Sequence, residues 1–241
     1  MTSPIPVIYS DGGLVVVDKP PGLPVVPAAG TSPAESVRGQ TEWQLGVRLW
    51  VVHRLDRDAS GVLLFARTAD VHREMCLAFE ERRVRKTYVA FTAGVPSPRE
   101  GRIDVALHEA RRGKARPARP GEPGAREAAT RFIVRKRWSQ DRDRVAMVEA
   151  HPETDHHHQL RVHFRSAGTP ILFDHVYGRN TDIGSLESAP GQRLALHATR
   201  LAVPDPARPE CERLFEAPLP ADLIALLHWL DGEWTPQAPG V

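Results

Sequence analysis

A charged trio, His53, Arg54 and Asp56, lies between two apolar runs of the chain. The runs cover residues 50–52 and 62–66, and they are rich in the β-branched and large apolar side chains that favour buried strands. The trio is therefore predicted to lie on a loop held by rigid elements, where reactive groups are commonly placed. A carboxylate held in this way can act as a nucleophile or as a general base. Asp56 is the candidate catalytic residue.

A trio of this kind can also be a structural ion pair, and the three residues alone leave both interpretations open. The wider pattern of the chain is more specific, because several separated segments occur in a characteristic order. They are residues 17–25, 53–61, 86–90, 129–130, 158–163, 170–178 and 196–198. With these segments, which span roughly residues 7–203, the chain resembles the RluA-type pseudouridine synthases. These enzymes isomerise uridine in RNA.

The resemblance implies a mechanism that uses one aspartate, and no metal or organic cofactor. Asp56 would initiate the breakage of the glycosidic bond of uridine, after which the freed uracil rotates and bonds again through carbon. A carboxylate under a displaced nucleotide loses water, which disfavours its charge. By resemblance, Arg161 is the cation that pairs with Asp56 and holds this charge.

Two further residues receive roles from the resemblance. Tyr88 would stack on the target base, and Arg54 would contact RNA and help to displace the target nucleotide. Taking a base out of its stack costs a few kcal/mol, which contacts to the phosphate backbone must offset. The expected partner is structured RNA, either ribosomal or transfer RNA.

Composition supports a polyanionic partner through the clustering of charge rather than its sum. The 241 residues have a net charge of only +2, yet basic residues concentrate at 82–86, 111–119 and 135–137. Clusters of this kind are typical of RNA-binding surfaces, and the alternative for each of them, including 111–119, is a solvated face without a role. The RNA-binding candidates in the first two clusters are Arg83, Arg85, Lys86, Arg111, Arg112 and Lys114.

Mixed strand and helix patterns predict an α+β fold with a mixed, largely antiparallel central sheet and flanking helices. Strands are predicted at 14–17, 50–52, 62–66, 87–92, 130–134 and 145–150, and helices at 32–46, 70–82 and 159–168 and from 219 onward. Residues 108–126 lack apolar periodicity and are rich in Pro, Gly and Arg, which predicts a mobile basic insertion. We expect residues 1–241 to form a single catalytic domain.

No apolar run is long enough to cross a bilayer, and no secretory leader is evident, so we expect a cytoplasmic protein. Members of the family often carry an N-terminal S4 RNA-binding module. The early position of Lys19-Pro20-Pro21-Gly22 leads us to expect a stand-alone catalytic domain without it. We expect a monomer with no obligatory protein partner.

The chain departs from the family pattern in three places, one of which is Ala59, where the family commonly has threonine. Where the family reads Thr-Gly-Arg-Thr-His-Gln, this chain has Asp155, His156 and His157 in place of glycine, arginine and threonine, and Phe173 replaces a glycine. One alternative is a non-catalytic RNA-binding protein of the same fold. Another is a metal-dependent hydrolase built on the three histidines at 156–158 and Asp174, although consecutive ligands lack the i, i+4 spacing of a helical metal site.

Overall fold

The computed structural model describes residues 4–110, 113–178 and 183–237. The chain divides into two compact units. Unit 1 comprises Met1–Lys86 and His197–Pro218, and unit 2 comprises Thr87–Leu196 and Leu219–Val241. The assignment of residues 1–241 to a single catalytic domain stays a prediction.

Strands and helices alternate irregularly along the chain. The strands are β1 (Val7–Ser10), β2 (Leu14–Lys19), β3 (Trp50–Val51), β4 (Ser60–Ala66), β5 (Arg85–Ala93), β6 (Glu100–Asp104), β7 (Leu107–Ala110), β8 (Lys114–Pro117), β9 (Ala129–Gln140), β10 (Asp143–Pro152), β11 (Leu196–Asp205), β12 (Arg208–Glu216) and β13 (Thr235–Pro236). The helices are α1 (Val37–Leu45), α2 (Ala69–Glu80), α3 (Gln159–Ser166) and α4 (Ala221–Glu233). The α+β prediction with largely antiparallel pairing is confirmed.

Unit 1 is built on strands in the order β1-β2-β4-β11, with β3 on β4 and β12 on β11. Pairing is antiparallel except between β4 and β11. Val16 lies opposite Leu64, and the apolar side chains of β2 and β4 pack with Met75 and Ala78 of α2. Every residue of β4 is buried, so the strand that follows Asp56 is fixed on both faces.

Unit 2 has the strand order β5-β10-β9-β13, with β6 on β9 and a separate hairpin of β7 and β8. All of these pairs are antiparallel. The core of this unit includes Phe91, Trp138 and Phe164, each fully buried. The β7–β8 hairpin lies largely inside the predicted insertion. Its strands were not predicted, and the mobility of residues 108–126 stays a prediction.

The start of α1 differs from the expected single helix at residues 32–46. Ser32 and Glu35 form the predicted capping box, but it opens only a 3₁₀ turn, Pro33–Glu35. Ser36 is then extended, with φ −140°, and its side chain accepts a hydrogen bond from the Gly39 amide as the N-cap of α1. Within the described part of the chain, no helix combines the length and apolar character needed to cross a membrane.

Candidate active site

A buried lysine of unit 1 forms hydrogen bonds with the backbone of the loop that carries Asp56. Lys19, at the end of β2, is fully buried. Its Nζ donates hydrogen bonds to the carbonyl oxygens of Pro20 at 2.7 Å, Arg57 at 2.8 Å and Ala59 at 2.7 Å. One ammonium group therefore joins the Lys19-Pro20-Pro21-Gly22 turn to the backbone of Arg57 and Ala59, which follow Asp56 in the chain.

The residues on either side of the loop are fixed as well. Leu64 of β4 donates its amide to Nε2 of His53 at 3.0 Å, and the His53 ring stacks on Phe79 with centroids 4.8 Å apart. After the loop, the Ser60 hydroxyl is hydrogen-bonded to Nδ1 of His197 at 2.9 Å. The first residue of the predicted trio is thus a structural anchor that holds the loop on β4.

The residue at position 61, just after the loop that carries Asp56, has to be glycine. Its φ is +112°, and a Cβ there would lie 2.1 Å from the carbonyl oxygen of Ala198 on the parallel strand β11. Only a residue without a side chain allows β4 and β11 to approach this closely.

Asp56 is half-buried and Arg54 is exposed. The Asp56 carbonyl oxygen accepts a hydrogen bond from the Ala59 amide at 3.2 Å, which closes a turn of the loop. Arg57 donates from Nε to the Gly22 carbonyl oxygen at 2.9 Å. Asp56 therefore sits on a turn with several fixed backbone atoms and a partly accessible carboxylate, as a reacting group requires.

In unit 2, Arg161 forms a buried, bidentate ion pair with Asp174. Nε and Nη2 of Arg161 each donate to one carboxylate oxygen at 2.7 Å, and both residues are at most 5% exposed. Burial alone would raise the pKa of Asp174. The Arg161 guanidinium and the amides of Val176 and Tyr177 outweigh it, so the pKa lies below its usual value. Asp174 therefore stays ionised and fixes the guanidinium plane of Arg161.

Tyr177 covers the same guanidinium. Its ring centroid lies 5.1 Å from Cζ of Arg161, within the range of a cation–π contact. The Tyr177 hydroxyl accepts a hydrogen bond from the Ala115 amide of β8 at 2.9 Å and lies 2.9 Å from Nδ1 of His158. The sequence pattern assigns no role to Lys19 or Tyr177, and it assigns Asp174 a role only as a ligand in the alternative metal-dependent hydrolase. The partners of all three lie in other segments of the chain.

Tyr88 lies on β5, opposite Ala150 of β10, and is 9% exposed. Asp56 and Arg54 belong to unit 1, whereas Tyr88 and Arg161 belong to unit 2. The predicted pairing of Arg161 with Asp56 and the stacking of Tyr88 on a target base both stay predictions.

Two of the sequence segments meet in a buried polar network. The Gln159 side chain donates from Nε2 to the Ala129 carbonyl oxygen at 3.0 Å and to Oγ1 of Thr130 at 3.1 Å. Thr130 is also hydrogen-bonded to Nδ1 of His163, whose Nε2 contacts the Val105 carbonyl oxygen at 3.0 Å. The Ala-Thr pair of β9 and α3 are thus one structural assembly, which fixes the direction of the helix that carries Arg161.

The histidine run has separate partners. Nε2 of His156 contacts the Glu127 carbonyl oxygen at 2.8 Å, and Nε2 of His157 contacts that of Gly113 at 2.9 Å. The His158 ring turns toward Tyr177, and both oxygens of Asp174 are bound by Arg161. These contacts favour hydrogen-bonding roles over the ligand set of the metal-dependent hydrolase, since Asp174 already neutralises a buried cation.

The basic clusters differ in accessibility. Arg83 and Arg85 are exposed and pair with Glu81 and Glu212, each at 2.7 Å. Lys86 is 8% exposed and its Nζ lies 5.9 Å from the centroid of the Phe79 ring, so its burial disfavours a phosphate contact. Lys114 is exposed. Arg111 and Arg112 lie outside the described residues, and RNA binding by the candidates stays a prediction.

Known RNA pseudouridine synthases match most of this chain. A family model described as RNA pseudouridylate synthase matches residues 13–166, which include the three positions Asp56, Tyr88 and Arg161. The ribosomal large subunit pseudouridine synthase D of Neisseria meningitidis serogroup B is 32% identical over 93% of this chain, which spans 60% of that relative's length.

Two other matches cover nearly the full length of both chains. The tRNA pseudouridine synthase C of Pasteurella multocida is 31% identical over 95% of this chain and 92% of its own. The solved structure of human RNA Pseudouridylate Synthase Domain Containing 4 has a TM-score of 0.76 and 28% identity, and the match covers 98% of this chain and 95% of the human one. The chain therefore belongs to the RNA pseudouridylate synthase family.

Proposed function

We propose that this protein isomerises specific uridines of ribosomal or transfer RNA to pseudouridine, with Asp56 as the catalytic carboxylate. The observation that carries the proposal is the presence of Asp56, inside the segment matched by the family model, on a loop anchored by Lys19 and His53. One relative is named for the ribosomal large subunit and another for tRNA, which supports RNA of these two classes as the substrate.

The reaction rearranges bonds within one nucleotide. Asp56 acts as a nucleophile or a base, the bond from C1′ of the ribose to N1 of uracil breaks, and the base rotates. A bond from C1′ to C5 then forms, C5 loses its hydrogen to solvent, and N1 gains a proton. No electrons enter or leave, so the proposed reaction needs no redox cofactor. Arg161 holds the charge of Asp56, and the fixed guanidinium plane supports that role.

Two residues handle the substrate in this proposal. Tyr88 stacks on the displaced base, and Arg54, exposed at the same loop as Asp56, contacts the phosphate backbone. The protein acts in the cytoplasm as a monomer, with no obligatory protein partner. The alternative, RNA binding without catalysis, predicts that substitution of Asp56 changes nothing measurable in RNA.

A pseudouridine map of cellular RNA tests the function and names the substrate. Total RNA is labelled with carbodiimide and read by reverse-transcription stops, from cells with the gene intact, deleted, or restored as wild type or Asp56→Asn. We expect at least one stop to vanish on deletion, to return with the wild-type gene, and to stay absent with Asp56→Asn. A stop that returns equally with both genes would remove Asp56 from the mechanism.

A further inference from the structure

A basic arm of unit 2 lies next to the helix that carries Arg161. We define the arm as residues 107–110 and 113–126, which include β7 and β8. It contains four basic side chains, Lys114, Arg116, Arg119 and Arg126, and two acidic ones, Glu109 and Glu122. The arm is therefore more basic than the nearly neutral chain to which it belongs.

Some charged side chains of the arm pair with each other, and others are exposed to solvent. Arg116 pairs with Glu122, whose Oε2 also accepts the Arg119 amide at 2.9 Å, and these contacts lower the pKa of Glu122 to about 2. Lys114 and Arg119 have exposed side chains, and within the described residues neither forms an ion pair with an acid. These two cations are available for an anionic partner.

The arm is docked on His157 and Tyr177 through hydrogen bonds. His157 donates from Nε2 to the Gly113 carbonyl oxygen at 2.9 Å, and Ala115 donates its amide to the Tyr177 hydroxyl at 2.9 Å. Leu107 and Ala115 also pack with Val162 of α3. The arm is thus held both by polar contacts and by a small apolar cluster.

The same contacts lead from the arm to Arg161. The His157 and His158 rings stack with centroids 3.7 Å apart, and His158 is hydrogen-bonded to Tyr177, whose ring lies on the Arg161 guanidinium. His157 stands where the family pattern has threonine, a residue too short to carry both the stacking contact and the bond to Gly113. In this chain the His157 ring therefore supplies both contacts.

We propose that the arm is a docking surface for RNA phosphates, with Lys114 and Arg119 as the contacting cations and His157 and Tyr177 fixing the arm next to Arg161. This inference rests on the proposed function, because it assigns the arm to the RNA whose uridine is isomerised. Phosphate contacts at a fixed distance from Arg161 would set the register of the RNA without reading its sequence. The expected partner is a folded RNA that extends beyond the target nucleotide.

The first test measures RNA binding against salt. Filter binding of unmodified transcripts of ribosomal large-subunit RNA and of tRNA is followed from about 50 to 200 mM salt, for wild type, the double variant Lys114→Ala/Arg119→Ala and the control Arg142→Ala. Arg142 is an exposed arginine in the turn between β9 and β10 of the same unit. For a transcript that wild type binds, the double variant should bind about tenfold more weakly, with a salt slope lower by about 1.5, since each phosphate contact contributes about 0.7–0.9. The control should change binding less than twofold.

The second test separates docking from chemistry. His157→Thr should speed hydrogen exchange of the arm amides at 113–116 and raise KM several-fold with an unchanged kcat. Unchanged exchange would overturn the docking role of His157, and an unchanged salt slope in the double variant would overturn the surface. Because binding and exchange are measured without turnover, failure of the proposed function appears separately, as a wild-type protein that forms no pseudouridine.

Discussion

The Nζ atom of Lys19 donates a hydrogen bond to the carbonyl oxygen of Ala59 across 2.7 Å, although the two residues are 40 positions apart. The same ammonium binds the carbonyl oxygen of Arg57, so two of the three residues that follow Asp56 have their backbone fixed by one side chain. A loop held in this way loses little entropy when substrate arrives. Lys19 is therefore a positioning residue of the candidate active site.

Lys19→Met should weaken both the fold and the proposed reaction. Methionine fills a similar volume but leaves three carbonyl oxygens without their donor, in a position that is fully buried. We expect a loss of about 3 kcal/mol in the free energy of unfolding, measured with urea, and at least a tenfold loss in kcat. Arg57→Ala is the control, because its exposed side chain makes one bond to Gly22 and should cost less than about 1 kcal/mol. Equal losses in the two variants would contradict the anchoring role.

Asp174→Asn should destabilise the protein far more than loss of an accessible ion pair. The amide cannot balance the charge of Arg161, which is 5% exposed. We expect a loss of about 3 kcal/mol in the free energy of unfolding. Asp222→Asn, in the partly exposed pair with Arg193, is the matched control and should cost about 1 kcal/mol or less. A smaller loss for Asp174→Asn than for Asp222→Asn would show that the buried pair does not hold Arg161 in place.

Phe173 occupies a backbone conformation that accounts for the glycine of the family pattern. Its φ is +57°, in the left-handed region where a side chain is strained. Phe173→Gly should therefore be more stable than Phe173→Ala by about 1 kcal/mol, by thermal or urea unfolding. At Arg73, inside α2, the same pair of substitutions should show the opposite order, since glycine costs about 1 kcal/mol in a helix. Alanine more stable than glycine at both positions would rule out the strain.

Stability should fall as the pH decreases from about 7 to about 5, partly through His163. Burial of His163 lowers the pKa of its imidazole, and the hydrogen bond to the Val105 carbonyl oxygen opposes this only in part. The unfolded chain takes up a proton near pH 6.5, above the pKa in the folded state, so acid favours unfolding in this window. The unfolding free energy of His163→Gln should depend less on pH over the same range. A parallel pH dependence in both proteins would exclude His163 as a source.

The elements that surround the candidate site follow from local signals in the sequence. Apolar runs predicted β2 and β4, and helical periodicity predicted α2 and α3 within one or two residues at most of their ends. The placement of Asp56 on a loop between strands is also confirmed, because the Ser60-Gly61 pair and the apolar runs are contiguous with it. Short-range patterns sufficed wherever neighbours along the chain determine the conformation.

Contacts between distant segments could not be predicted. Lys19 in a Pro-Gly turn has the pattern of a solvated side chain, and only the fold places the Arg57 and Ala59 carbonyl groups around its ammonium. The β7–β8 hairpin lacks an apolar pattern because few of its side chains, chiefly Leu107 and Ala115, enter a core. The ion pair between Arg161 and Asp174 likewise depends on the turn at Phe173. The backbone of this turn is left-handed, and a phenylalanine in the sequence does not predict that conformation.

The most direct test of the central claim is a single-turnover assay of purified wild type and Asp56→Asn on an unmodified transcript that contains the mapped uridine. The uridine carries tritium at C5, so release of tritium to water reports the new bond from C1′ to C5. Asparagine keeps the shape of the side chain and removes its charge, and Asp56 is half-buried, so the melting temperature should change little. We predict release by wild type and a loss of at least about 1,000-fold with Asp56→Asn, with RNA affinity retained. Tritium release by Asp56→Asn at a rate near that of wild type would contradict the account.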